Sequence, residues 1–148
     1  DVSGDDPPSY LKNLSEDDEE RQPGTALKTV KEKWSELGPL KLEEIIQNSE
    51  TPIDQGLQFG QSRYNKFIIG QIGFDGRVQG VGKEINHIIY EGQFKNDVYH
   101  GYGRFIYASG AYYIGQWVDG KRSGWGKWVD TNGKALEGMW QYNKMVGQ

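Results

Sequence analysis

Three Gly-x-Gly triplets, Gly80-Val81-Gly82, Gly101-Tyr102-Gly103 and Gly124-Trp125-Gly126, are the first residues to test for chemistry, because closely spaced glycines let backbone amides approach a phosphate. A nucleotide loop would continue to a third glycine or to Gly-Lys-Ser/Thr at a strand-to-helix switch, and none of the three does. A metal centre needs converging ligands; His87 and His100 are the only histidines and stand apart in sequence. Cysteine is absent, which removes a thiolate nucleophile, a disulfide framework and a Cys-based zinc site. The carboxylates Asp75, Asp97, Asp119 and Asp130 invite an acid–base reading. All four sit among turn-forming residues, where Asp is favoured because its side chain bonds nearby backbone. The sequence therefore offers no catalytic residue, no metal set and no cofactor site, and it does not read as an enzyme. What remains is recognition. Lys121 and Arg122, with Lys127, Lys134 and Lys144, are the cations that an anionic lipid surface could meet.

Composition points the same way. Of 148 residues only 35% are apolar and the mean hydropathy is −0.78, yet 13% are aromatic and 21 are glycine. That balance suits short strands that lay flat rings on bare backbone better than an aliphatic core. The net charge of −4 is divided: residues 1–63 carry 7 bases against 14 acids, residues 64–148 carry 10 against 7. The mild surplus in the second half gives no case for nucleic acid, where a pronounced basic patch is expected. No apolar run approaches the roughly 18–20 residues that span a bilayer. Absence of cysteine fits a reducing, intracellular setting. The chain opens at Asp1 rather than Met, and it stops where a further Gly-x-Gly is due, so a longer protein is expected.

Four segments position these residues. Residues 1–24 hold eight acids, two bases and three prolines, and predict an extended or disordered arm. Within it, Tyr10-Leu11-x-x-Leu14 resembles a docking motif and Ser15, followed by five acids, an acidophilic-kinase site. Residues 25–37 predict a helix capped by Thr25, with Leu27, Val30, Trp34 and Leu37 on one stripe and Gly38-Pro39 as its stop. A second short helix is expected over 40–48, both within a helical segment 25–48, and residues 49–63 read as a linker. Neither helix is long enough to stand alone, so the Trp34 stripe must pack on this chain's own sheet or on another protein.

From Tyr64 to Gln148 the pattern repeats. Gly70, Gly92, Gly115 and Gly138 lie 22, 23 and 23 residues apart. Two positions before each stand Ile68, Tyr90, Tyr113 and Leu136, and two positions after stand Ile72, Phe94, Trp117 and Trp140. Each of the first three lead glycines is followed by a Gly-x-Gly, Gly80 and Gly82, Gly101 and Gly103, Gly124 and Gly126, and a fourth would begin at Gly147. The period of two within each unit predicts strands, and each unit predicts one antiparallel hairpin. Val118–Ser123 reads as one turn, and Asp130-Thr131-Asn132-Gly133 as another. Glycine within a strand is costly unless another group approaches closely, so a ring laid over a glycine of the adjacent strand is the expected stabilising unit.

The unit Tyr113-x-Gly115-x-Trp117-x-x-Gly120-x-x-x-Gly124-x-Gly126 resembles the MORN (membrane occupation and recognition nexus) repeat. The unit from Tyr90 resembles it too, with Phe94 in place of Trp, Asp97 in place of Gly, and the family's frequent His-Gly at His100-Gly101. The units at Ile68 and Leu136 lack the tyrosine and look like end units or degenerate ones. The expected fold is mainly β: an elongated single-layer antiparallel sheet of tandem hairpins, preceded by the acidic arm and one or two short helices. The face opposite the rings carries Tyr102, Arg104, Ile106, Ile114, Trp125, Lys127 and Met139, a composition like an interface core. Trp34, Tyr102, Arg104, Trp125 and Lys127 are therefore the candidate partner interface, unless the N-terminal helices cover that face.

The resemblance implies a non-catalytic scaffold subunit whose partners are other proteins of a larger assembly, since such repeats occur in cilia, cytoskeletal assemblies and junctional complexes. It equally implies two alternatives: a membrane- or phosphoinositide-binding module using Lys121 and Arg122, and an accessory to a lipid-kinase-type catalytic domain.

Overall fold

A computed structural model describes residues 23–54 and 56–146, with side chains from Thr29 onward. The expected arm, with its Tyr10, Leu11, Leu14 and Ser15, falls in residues 1–22, outside the described residues. Two helices, α1 (Pro23–Leu37) and α2 (Leu42–Asn48), precede nine strands. The strands are β1 (Phe59–Gln61), β2 (Ile68–Ile72), β3 (Val78–Ile85), β4 (Ile89–Lys95), β5 (Val98–Ile106), β6 (Tyr112–Val118), β7 (Lys121–Val129), β8 (Ala135–Gln141) and β9 (Lys144–Val146). They form one open antiparallel sheet whose strand order is the order along the chain. The repeated spacing thus becomes a meander of hairpins, as predicted.

Three boundaries differ from those read in the sequence. Helix α1 starts at Pro23, so Thr25 lies inside its first turn and does not cap it. Proline suits such a start because its fixed φ is helical and its missing N–H is one the first turn leaves unpaired anyway. The segment expected as a linker contributes β1, which pairs Gly60 with Gly70 and so extends the sheet before Tyr64. The turn expected over Val118–Ser123 shrinks to Asp119-Gly120, at φ 51° and 83°, and Lys121–Ser123 belong to β7. The same tight turn recurs at Asn96-Asp97 (φ 52° and 68°) and Tyr142-Asn143 (φ 50° and 73°). Two consecutive residues with positive φ match the twist of the strands they join. In each case the second turn residue donates its N–H to the preceding repeat: Asp97 to Val78 O at 2.9 Å, Gly120 to Tyr99 O at 2.8 Å and Asn143 to Arg122 O at 2.9 Å.

One face of the sheet holds the rings. Tyr90 and Tyr113 are fully buried, lying across Gly103 and Gly126 of the neighbouring strands. A Cβ on Gly103 would stand 2.7 Å from Tyr90 Cε1, and one on Gly126 would stand 2.5 Å from Tyr113 Cε1. Each phenol then reaches a backbone carbonyl, Tyr90 OH to Gln93 O at 2.7 Å and Tyr113 OH to Gln116 O at 3.0 Å. Trp117 and Trp140 donate to Gly103 O and Gly126 O at 3.2 and 3.1 Å. Rings of successive repeats meet edge-on, Tyr90 with Trp117 at 5.7 Å and Tyr113 with Trp140 at 5.3 Å between centroids.

A single layer buries these rings because its register slips at one place in each unit, between Gly70 and Ile72, Gly92 and Phe94, and Gly115 and Trp117. Such bulges raise the local twist, so the sheet curls over its own side chains. The opposite face packs on α1, where Val30 meets Ile89 and Ile106, flanked by Trp34, Leu37 and Tyr112. Gly38, at φ 80°, ends α1 by donating its N–H to Trp34 O at 2.8 Å.

Candidate interaction surface

The helix-side face divides into a covered half and an open half. Over β3 to β6 it is held by the chain's own N-terminal segment. Arg104, buried, donates from Nη2 to Gly38 O at 2.6 Å and to Glu91 Oε1 at 2.8 Å. Glu91 Oε2 in turn accepts the Leu40 N–H at 3.2 Å. Tyr102 OH donates to Glu44 Oε2 at 2.8 Å, and burial together with that carboxylate pushes its phenol pKa well up. Tyr102 and Arg104, expected at a partner interface, thus anchor α1 and α2 on the sheet. Trp34 packs beside Val30 on the same sheet, with Lys83 Nζ 5.8 Å from its ring centre. The reason is reach: Gly38-Pro39 turns the chain so that α2 follows α1 onto the sheet, and both helices pack on β5.

Beyond α2 the chain is held by a ladder that the sequence reading missed. Gln71, Gln93 and Gln116, each one position after a lead glycine, are the bulged residues, and their side chains face the helix side. Gln93 Nε2 donates to Ser49 Oγ at 2.8 Å, Gln116 Nε2 to Asn48 O at 2.9 Å, and Gln71 Nε2 to Asp54 O. Gln71 and Gln93 also accept, through Oε1, the N–H of Val81 and Tyr102 at 2.7 Å each. Residues 48–54 therefore cross the repeats as a strap fixed at three points. The signal was present as the same amide at the same repeat position, but it carried meaning only once the bulge showed where the side chain points.

Arg122, expected to meet lipid, points into the ring face and is fully buried. Its guanidinium carbon lies 5.4 Å from the Trp128 ring centre, 5.5 Å from Trp140 and 6.0 Å from Tyr113. It bonds the Tyr107 hydroxyl and, at 3.3 Å, Asn143 O. The correction follows from the short turn: with β7 starting at Lys121, the period of two that aligns Gly124, Gly126 and Trp128 also turns Arg122 inward. It stands where Tyr99 stands one repeat earlier, and Tyr99 stacks on Tyr90 at 4.1 Å. Lys121 stays exposed.

On β7 to β9 the same face is uncovered. Trp125 pairs with Met139, and Met139 with Val146, so three apolar side chains form one cross-strand row. They are 56%, 47% and 40% exposed. Trp125 Nε1 donates to Glu137 Oε2 at 3.2 Å, and half-buried Lys127 flanks the row. A second exposed apolar strip, Leu42, Ile46 and Phe59, borders an open groove between α2 and β1.

The repeating ring, glycine and bulge are the features a family comparison can test. Residues 90–112 and 113–135 each match the MORN repeat. This chain contains MORN repeats. No curated protein matches the chain. The two matched MORN units are those that keep the tyrosine, Tyr90 and Tyr113, and they contain Gly103 and Gly126 beneath those rings. In the MORN unit from Tyr90, His100 Nδ1 accepts the Asp119 N–H at 3.2 Å and ties its hairpin to the next turn. Asp97 Oδ1 accepts the Val78 N–H at 2.7 Å, and Asp130 Oδ1 accepts those of Asn132 and Lys134 at 2.9 Å each. Among the described residues, no group of three or more His, Asp or Glu side chains converges to hold a metal, and no helix is long and apolar enough to cross a membrane.

Proposed function

We propose that this MORN-repeat chain is a non-catalytic scaffold subunit that binds other proteins of a larger intracellular assembly through the open half of its helix-side face. The observation that carries the reading is the row Trp125, Met139 and Val146, in register on three strands and bare to solvent. Trp and Met are enriched, and charges depleted, at the cores of protein interfaces. The other half of the same face already holds polypeptide through the glutamine ladder, which supports protein rather than lipid as its natural occupant. With Arg122 turned inward, the lipid reading rests on Lys121 and its scattered neighbours, each worth only about 1 kcal/mol at an anionic surface. Cytoskeletal structures, the ciliary axoneme among them, are the setting that fits best.

The test is reconstitution with a partner recovered from a ciliated-cell extract. Trp125→Ala with Met139→Ala should weaken that complex about 100-fold or more, as expected when two central anchors are truncated. Unchanged affinity would remove this surface from the account. Co-sedimentation with phosphatidylserine vesicles that falls in Lys121→Ala would put membrane recognition in its place.

A further inference from the structure

The column of facing glycines singles out one end of the sheet. From β1 to β8 every adjacent pair of strands sets glycine opposite glycine: Gly60 with Gly70, Gly70 with Gly82, Gly82 with Gly92, and so on to Gly126 with Gly138. Glycine inside a strand is costly unless another group approaches closely. From Gly70 to Gly138 that group is present, since a Cβ on any glycine of the column would meet an atom at 2.8 Å or less. On the lead glycines Gly70, Gly92 and Gly115 the nearest atoms belong to the backbone of the facing strand. Gly60 is the exception. Its φ is not positive, and a Cβ there would meet only the Ile72 side chain, at 3.3 Å. Among the described residues, nothing on the free side of β1 requires its bare backbone.

We infer that the missing neighbour is β1 of a second copy, paired antiparallel across Gly60 so that two sheets join edge to edge. The hydrogen bonds set the register. Ser62 N–H donates to Ile68 O at 2.9 Å, and Ile72 N–H donates to Gln58 O at 2.7 Å. Bonds in an antiparallel ladder alternate along the strand, so Gly60 also bonds β2 while Phe59 and Gln61 turn N–H and C=O to the outer edge. A second β1 centred on Gly60 sets Phe59 opposite Gln61 and Gln61 opposite Phe59, and all of these groups are satisfied. The strand is thus its own complement, which argues for a copy over a foreign peptide. Gly60 then faces Gly60, and the glycine column runs on through the junction. Phe59, 69% exposed, comes diagonal to the Phe59 of the copy on one face, within reach of an aromatic ring. β1 carries none of the charges or prolines that blunt an edge. The charges that flank it are engaged. Asp54 Oδ1 accepts the Gly56 N–H at 2.8 Å, Arg63 lies against Gly76, Lys66 Nζ sits 5.3 Å from the Phe67 ring centre, and Asp75 pairs with Arg77 at 2.7 Å. Arg63 would stand opposite Leu57 of the copy, so the pairing sets no like charges against each other. So short a strand buries less than the roughly 1,200 Å² of a standard interface, and the dimer therefore forms at high concentration and dissociates on dilution.

Sedimentation velocity of the full chain reads the association. Dimer should grow from a trace at about 1 µM to the larger share at about 1 mM, as a small interface implies. Gln61→Pro removes a donor that faces away from β2, so the melting temperature should hold while the dimer falls about tenfold or more. Gly60→Ala should act alike, because within the chain its methyl meets only the Ile72 side chain, whereas across the junction it meets backbone. Hydrogen exchange over residues 58–62, followed by mass spectrometry, should slow as the concentration rises and should not do so in Gln61→Pro. Trp125→Ala with Met139→Ala should leave the dimer intact, since those side chains lie on β7 and β8; the scaffold surface and this edge can therefore fail separately. Three results would each overturn the proposal: a chain that stays monomeric throughout, a dimer that survives both edge variants, or full protection of Phe59 and Gln61 in the monomer, which would mean that another part of the chain covers the edge.

Discussion

Replacing Gly126 with alanine adds one methyl to a strand whose backbone tolerates any residue, so its cost isolates the ring-on-glycine contact. The added Cβ would stand 2.5 Å from Tyr113 Cε1 and closer still to its Cζ and hydroxyl, and Tyr113 is fully buried with nowhere to retreat. Overpacking of a rigid ring costs about 1–3 kcal/mol. Lifting it also strains the Tyr113 OH bond to Gln116 O, worth about 1 kcal/mol. The edge contacts with Trp117 and Trp140, at 5.2 and 5.3 Å, are worth about 0.5–1.5 kcal/mol each. A total loss of about 3–4 kcal/mol is expected. Gly138, the cross-strand partner of Gly126 on β8, provides the control, since a Cβ there would meet only the terminal methyl of Met145, at 2.8 Å. That methyl can swing aside, and removing glycine from a strand stabilises by roughly 0.5–1 kcal/mol, so Gly138→Ala should be nearly neutral. Urea unfolding followed by tryptophan fluorescence measures both. Adding Tyr113→Ala closes a double-mutant cycle: with the ring gone, alanine at 126 should cost nothing, so the coupling should equal the whole single loss, about 3–4 kcal/mol. Equal losses at 126 and 138, or a coupling near zero, would show that the rings do not depend on bare backbone beneath them.

Three further outcomes follow from the same geometry. Arg122→Met places the side chain that the next repeat carries at Met145, and exchanging a buried cation for a well-fitting apolar group is neutral or stabilising in most cases, whereas Arg122→Ala leaves a cavity and should cost about 3 kcal/mol; thermal melts distinguish them, and a Met variant as damaged as the Ala variant would refute the placement. Burial raises the phenol pKa of Tyr90, Tyr99, Tyr102 and Tyr113, so their contribution to stability is full below about pH 10, the unfolded value, and is lost as pH climbs towards the folded values. Absorbance at 295 nm should show these four ionising together with unfolding; gradual ionisation in the folded state would contradict their burial. Gln93→Ala strands the Tyr102 N–H at about 1–3 kcal/mol and frees Ser49, while Gln93→Glu keeps the acceptor and loses only the donor. Hydrogen exchange across 48–54 should accelerate in both variants, and global stability should fall markedly only in the first.

Local pattern determined most of the array. The 22- and 23-residue steps, the period of two and the rings flanking each lead glycine are short-range facts, and they sufficed for hairpins, for the meander and for Tyr90 and Tyr113 over glycine. Turn chemistry was harder, because two-residue turns with positive φ formed at Asn96-Asp97 and Tyr142-Asn143 without a glycine, while Asn132-Gly133 closed a longer loop. Misplacing the Asp119-Gly120 turn moved Arg122 from the ring face to the surface, since a short shift in where a strand begins decides which residues it counts.

The covering of the helix-side face was a tertiary decision. Nothing local to Tyr102 or Arg104 announces that Glu44 and Gly38, dozens of residues earlier, will take their hydrogen bonds. The sequence could show that α1 was too short to stand alone and that a face of the sheet needed a cover. Which half would be covered depended on the angle at Gly38-Pro39 and on three bulged glutamines gripping 48–54, because contacts between distant segments are set by where backbones cross and not by the residues beside them.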